Sequence, residues 1–196
     1  MTSCYSEKCN CIINNQILKE NIEFIKKQKK SNSWNELGLQ DHTKFKNDTY
    51  RLIIFPSWEN SEVLEYQLEN DLENPKISIN RYERINDTEK IKLKKIGQTE
   101  KIFLSKNDWN QFDKSMTELC FWTMPISSKN KYLDGTSWIL EGKKDRVNKC
   151  SNQNYHMVSR VEDSPVYFEL CDKLLKLANS SKKEQDNLLD KSWTSD

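Results

Sequence analysis

Three short blocks constrain the fold of this chain more than any other part of it: Cys120 to Pro125 (CFWTMP), Leu133 to Gly142 (LDGTSWILEG) and Tyr155 to Arg160 (YHMVSR). Together they hold two tryptophans, a histidine, an Asp134-Gly135 turn signal and a strand-borne acid, while the flanking segments are rich in lysine and asparagine. Large rings and β-branched side chains suit a pleated surface, and a turn glycine between such runs marks a hairpin or a strand start. A specified β-core is therefore expected here, with Ser137 to Gly142 and Tyr155 to Arg160 as paired strands. The connection between them, KKDRVNKCSNQN, is long for a hairpin and reads as a surface insertion.

The rest of the chain supplies partners for that core. Tyr50 to Trp58 is a β-branched and aromatic run that predicts a central strand ended by Pro56. Lys76 to Tyr82 and Lys90 to Ile96 alternate apolar with polar residues, as strands covered on one face do, and point Ile77, Ile79, Ile91 and Leu93 inward. Lys101 to Ser105 predicts a further short strand. Helical spacing appears three times. Ile13, Ile17, Leu18, Ile22 and Ile25 lie ahead of a basic KKQKK end, where a helix C-terminus favours cations. Ser105 and Asp108 form a capping-box pattern before Trp109, Phe112, Met116 and Leu119. Tyr167, Leu170, Cys171, Leu174, Leu175 and Ala178 make an amphipathic stripe from Pro165 onward. The expected fold is α+β: a mostly antiparallel sheet of five to six strands packed against two or three helices. One domain spans 12–178, with 1–11 as an N-terminal segment and 179–196 as a flexible charged tail.

Composition narrows the function. The formal charge is +1, from 31 basic and 30 acidic residues, so no global field draws the chain onto phosphate backbones, and no nucleic-acid partner is expected. Six tryptophans, seven tyrosines and seven phenylalanines are too many for a disordered chain, although the mean hydropathy of -0.90 implies a very wet surface. No apolar stretch approaches the roughly 20 residues that span a bilayer. The lysine, asparagine, isoleucine and glutamate usage resembles the coding bias of an AT-rich genome and points toward a bacterium.

The six cysteines divide into an N-terminal group, Cys4, Cys9 and Cys11, and three scattered ones, Cys120, Cys150 and Cys171. Thr2-Ser3-Cys4 matches what surrounds the acylated cysteine of a bacterial lipoprotein after its signal is trimmed, so Cys4 is the expected lipidation site and the only expected link to a membrane. The alternative is a cytoplasmic start that happens to carry a cysteine. C-x4-C-x-C with His42 as its nearest histidine lacks the four ligands of a zinc module, and no metal or cofactor is expected. Cys9 and Cys11 could pair in an exported protein, Cys150 could bridge only under export, and Cys120 and Cys171 read as buried free thiols.

The order FW-x-M-P (Phe121 to Pro125), LDG-x-x-WILEG (Leu133 to Gly142), YH-x-V-x-R (Tyr155 to Arg160) and a terminal helix with ELC-x-x-LLKLA (Glu169 to Ala178) resembles a family of uncharacterised bacterial proteins, many of them exported. The likeness covers Tyr50 to Ala178 and is firmest from Phe121 onward. It departs from the family pattern twice: the turn after WILEG is expanded by Arg146 to Asn154, and Val161 to Pro165 stands where a W-S-P sequence would follow the arginine. The resemblance implies a fold and an exported address, and it implies no activity.

Chemistry rests on one proposed face. With Gly142 opposite Tyr155, antiparallel pairing sets Glu141 across from His156, Ile139 from Val158 and Ser137 from Arg160. A carboxylate, an imidazole and a guanidinium on one face could support acid and base work, or form a cross-strand salt bridge and hydrogen bond, which is the commoner use. Tyr132, Asp134 and Arg160 are candidate binding residues, whereas Trp122 and Trp138 read as core before ligand platform. Three functions follow: a non-enzymatic, periplasm-facing envelope protein that binds a protein partner, of immunity or inhibitor type; a structural or accessory envelope protein without a ligand; and a hydrolase-type enzyme using Glu141, His156 and Arg160. A concave pocket with a perturbed His156 would favour the enzyme, and an exposed complementary surface would favour the binder.

Overall fold

The computed structural model describes residues 11, 14–31, 34, 37–41, 44–57, 61–71, 74–87, 90–127, 136–148, 153–160 and 164–193. Helix α1 (Asn15–Ser31) is followed by four strands: β1 (Thr49–Phe55), β2 (Val63–Glu69), β3 (Lys76–Asp87) and β4 (Lys90–Phe103). Helix α2 (Lys106–Glu118) and a 3-10 turn (Phe121–Thr123) lead to β5 (Ser137–Asn148), β6 (Gln153–Arg160) and helix α3 (Pro165–Trp193). The strands form one sheet in the order β4-β3-β2-β1-β5-β6, every pairing antiparallel. Among the described residues the fold is α+β, a six-stranded antiparallel sheet with three helices.

Helices cover both sides. On the front, Tyr50, Leu52, Leu68, Ile77, Ile102, Leu140 and Val158 of the sheet meet Trp109, Phe112 and Met116 of α2, Phe121 and Trp122 of the 3-10 turn, and Tyr167, Leu170 and Leu174 of α3 in one buried cluster. Each such side chain contributes about 2 kcal/mol by leaving water. The α2 stripe forms because Ser105 caps it: its hydroxyl accepts from the Asp108 N–H at 3.1 Å while the Asp108 carboxylate accepts from the Ser105 N–H at 3.0 Å. The back is covered by α1 and by Trp34, residues 37–41 and Phe45, with Ile25, Leu39 and Phe45 buried. Asn21 fastens α1 across the β6 edge, donating to the Met124 carbonyl at 2.9 Å and accepting from the Ile126 N–H at 3.2 Å.

Several expectations change. Strand β2 is not among the expected strands, although Leu64, Tyr66 and Leu68 alternate with Glu65, Gln67 and Glu69 as in a half-covered strand; Val63 lies on the opposite face. The two short strands expected at 90–96 and 101–105 are one 14-residue strand, with a register shift opposite Ile79 and Arg81 and with Gly97 at φ +67°. Ile91 does not point into the core and is 44% exposed, because β3 and β4 run on past the end of β2. The insertion before β6 is largely the continuation of β5 to Asn148. Helix α3 does not give way to a loose tail at 179 but continues to Trp193, through a stretch with neither proline nor glycine to stop it. Cys120 is not a free thiol: it is bonded to Cys11 across 109 residues of sequence. Cys171 is free and buried, as expected. Among the described residues no helix is long and apolar enough to cross a membrane.

Candidate functional site

The residues predicted to share one face do not share it. Gly142 lies opposite His156, Glu141 opposite Met157, Leu140 opposite Val158 and Trp138 opposite Arg160, one position away from the expected register. A slip of one residue moves a side chain to the other side of a sheet, so Glu141 faces the back and His156 and Arg160 face the front. The reason lies in the neighbouring side chains. A Cβ on Gly142 would stand 2.8 Å from the Phe121 ring and 2.9 Å from the Tyr50 ring, so the glycine gives these rings room on the front. Tyr155, one position before His156, then turns to the back, where its hydroxyl donates to Glu141 Oε1 at 2.6 Å.

Each of the three residues is engaged in the fold. His156 is fully buried against Phe121, ring centroids 5.1 Å apart, and neither ring nitrogen makes a hydrogen bond among the described residues. Burial drives its pKa down to about 3, a shift that the nearby Met124 backbone opposes and the Arg160 charge reinforces. Arg160 donates to the Pro125 carbonyl at 2.6 Å and to the Ser159 carbonyl at 2.9 Å, pinning the segment after the 3-10 turn to β6. Trp122 is buried, and Trp138 packs edge-on against Phe168 of α3 with centroids 5.4 Å apart, so both are core residues. Cys4, Tyr132 and Asp134 lie outside the described residues.

The densest set of charged groups is on the back, around a residue that sequence patterning passes over. Arg51 follows Tyr50 on β1 and is completely buried between Glu141 on β5 and Glu65 on β2, both also buried. Arg51 pairs directly with Glu141 across the strands, and Ile53 pairs with Glu65 one step further along. Arg51 Nε donates to Glu141 Oε2 at 2.6 Å, Nη2 forms an ion pair with the same oxygen, and Nη1 donates to Glu65 Oε1 at 3.3 Å and to the Gln40 carbonyl at 2.5 Å. Glu65 Oε2 accepts from the Tyr82 hydroxyl at 2.7 Å and from Asn80 Nδ2 at 2.8 Å. The guanidinium also lies 5.4 Å from the Trp34 ring centroid and 5.0 Å from that of Phe45, a cation between two aromatic rings.

Burial alone would lower the Arg51 pKa; the charge of Glu141, then that of Glu65, outweighs it and holds the guanidinium above its usual value. Burial, then Glu141, pushes Tyr155 well above the usual tyrosine range, so its hydroxyl stays a donor. The network therefore holds its protons in place. It fastens Trp34, Gln40 and Phe45 to the sheet, since all three contact the one guanidinium.

A smaller cluster lies on the front beside the middle of α2. Asp113 accepts from the Tyr50 hydroxyl at 2.5 Å and forms an ion pair with Lys144, whose ammonium also lies 3.4 Å from Asp48 and over the Tyr50 and Trp109 rings. Burial, then Asp113, raises the Tyr50 pKa. Among the described residues no group of three or more His, Cys, Asp or Glu is placed to hold a metal ion.

An antiparallel α+β scaffold stapled by a disulfide is the class that this geometry defines. No protein-family model matches the chain, and no curated protein matches it at a significant level.

Proposed function

We propose that the protein is an exported, lipid-anchored binding protein of the bacterial envelope, of immunity or inhibitor type, that acts on a protein partner by surface complementarity. The observation that carries this reading is the Cys11–Cys120 disulfide, because such bonds persist in oxidising compartments and are rare in a reducing cytosol. It agrees with the Thr2-Ser3-Cys4 start and with the resemblance to exported bacterial proteins. It also sets a short leash: six residues lie between Cys4 and Cys11, at most about 25 Å of extended chain between a lipid on Cys4 and the body of the protein.

Binding is favoured over catalysis by the state of the titratable groups. Glu141 is committed to Arg51 and Tyr155, and His156 is neutral and enclosed on the opposite side of the sheet. General acid and base work needs such groups within reach of a substrate and of each other. Two measurements test the reading. Mass spectrometry of the chain from its native host should find a diacylglycerol adduct on Cys4 and an oxidised Cys11–Cys120 pair; an unmodified, fully reduced chain would overturn it. Capture with the immobilised, oxidised protein should return one stable protein partner from the host envelope, and repeated failure to do so counts against the binding function.

A further inference from the structure

The two edges of the sheet are finished differently. At β6 the chain covers its own edge: the Ser159 N–H donates to the Ile126 carbonyl at 2.7 Å, and Ser127 bridges to Ser159 in parallel. At β4 the sheet ends, and among the described residues no backbone hydrogen bond joins this strand to anything beyond β3. The edge is long, 14 residues or about 45 Å. Folded proteins usually shorten, cover or charge such an edge, because its unpaired N–H and C=O groups template another strand.

Here the edge carries a net positive charge. Lys90 to Phe103 carries five lysines and one glutamate in a chain whose overall charge is +1. Lys94 and Lys95 are exposed, and the Lys94 contact with Glu83 at 2.9 Å is an exposed pair of small energetic weight. Phe103, at the end of the strand, is 57% exposed, the most open of the large apolar side chains described, and shares the back face with Lys101. The turn at Gly38 lies against the Leu93 carbonyl, so the open stretch runs from Lys94 to Phe103.

We propose that the β4 edge is the docking surface, and that its occupant is an extended acidic segment of the partner protein, which adds to the sheet as a further strand. This rests on the binding-protein reading and names the surface and the partner chemistry. Main-chain hydrogen bonds supply affinity in strand addition, and side chains at alternate positions supply selection. A second copy of this chain is the wrong occupant, because it would set lysines against lysines, whereas a strand with acids on alternate positions meets opposite charges. Phe103 adds an apolar contact at one end.

The test is selection of random ten-residue peptides displayed against the oxidised full-length protein, followed by amide mapping of the winners by NMR. Enriched peptides should carry acids on alternate positions, perturb amides from Lys94 to Phe103, and lose about tenfold in affinity against the Lys95→Glu/Lys101→Glu variant, whose two lysines share the back face. Both lysines are exposed, so the variant should keep the wild-type amide spectrum elsewhere. Neutral or basic winners, winners that map away from β4, or no enrichment would overturn the inference and leave the lysines only the role of keeping copies apart. A host partner that binds the variant as tightly as the wild type would sink the edge while leaving the binding function standing.

Discussion

On the front of the sheet, Tyr50, Leu52, Leu140 and Val158 are covered by two helices whose apolar stripes recur at the helical period. On the back, the alternate residues of the same strands include Arg51 and Glu141, equally buried, and they are covered by Trp34, residues 37–41 and Phe45, through the Arg51 guanidinium and through an apolar cluster of Leu39 with Ile53, Val63, Tyr82 and Leu93. The front is held by many interchangeable apolar contacts, so a single loss there is shared among neighbours. The back adds to its own apolar clusters a few buried charged groups, each of which is costly to leave alone. A rigid, polar-pinned back beside an apolar front gives a sheet whose register cannot slip, because sliding one strand by a residue would bury charges in the front core.

The largest break in that comparison should come from Arg51→Met. It leaves Glu65 and Glu141 buried without their cation and should cost about 3–5 kcal/mol by urea unfolding, or abolish folding. Adding Glu65→Gln and Glu141→Gln should restore part of the loss, which an ordinary packing defect at Arg51 would not allow. Next is the staple that leads from α2 on the front to α1 on the back. Reducing Cys11–Cys120, or replacing both by serine, should lower stability by about 2–4 kcal/mol and expose α1 to hydrogen exchange before the strands.

Gly142→Ala tests the front. The new methyl would meet the Phe121 and Tyr50 rings at under 3.0 Å, and overpacking of this kind costs about 1–3 kcal/mol, visible as a lowered urea midpoint with the slope unchanged.

His156 gives the pH dependence. Its folded pKa, about 3, lies below the unfolded value near 6.5, so between these limits the unfolded chain binds a proton that the folded chain refuses. Stability contributed by the neutral imidazole is complete above about pH 6.5 and falls on acidification, by at most about 1.4 kcal/mol per pH unit. His156→Leu should flatten the unfolding free energy between pH 6.5 and 5, whereas an unchanged slope would show that the imidazole is not what titrates. Smallest is Ser105→Ala, which removes the α2 cap and should cost about 1 kcal/mol, with rescue by Ser105→Asp.

Most of the fold is legible in the chain. The three helices, the capping box at Ser105 and the strands around Tyr50, Lys76 and Tyr155 follow from periodicity, which depends only on near neighbours. Strand β2 carries the same period in Leu64, Tyr66 and Leu68, but nothing local shows that the polar Glu65 between them is buried. Its partners Arg51, Tyr82 and Asn80 are 14 to 17 residues away in sequence. The site was misread for a similar reason: Glu141 and His156 both stand in the aromatic blocks, but the face each occupies turns on one residue of register.

What the sequence determined by itself is the α+β class, the amphipathic helices and the side chains of the front core, because these need only local propensity and the sorting of apolar from polar groups. What only the tertiary structure decided is which charges are buried together, which cysteines join and which strands end the sheet. Those depend on contacts between residues far apart in the chain, such as Arg51 with Glu141 and Cys11 with Cys120, and no local pattern encodes a pairing that packing alone brings within bonding distance.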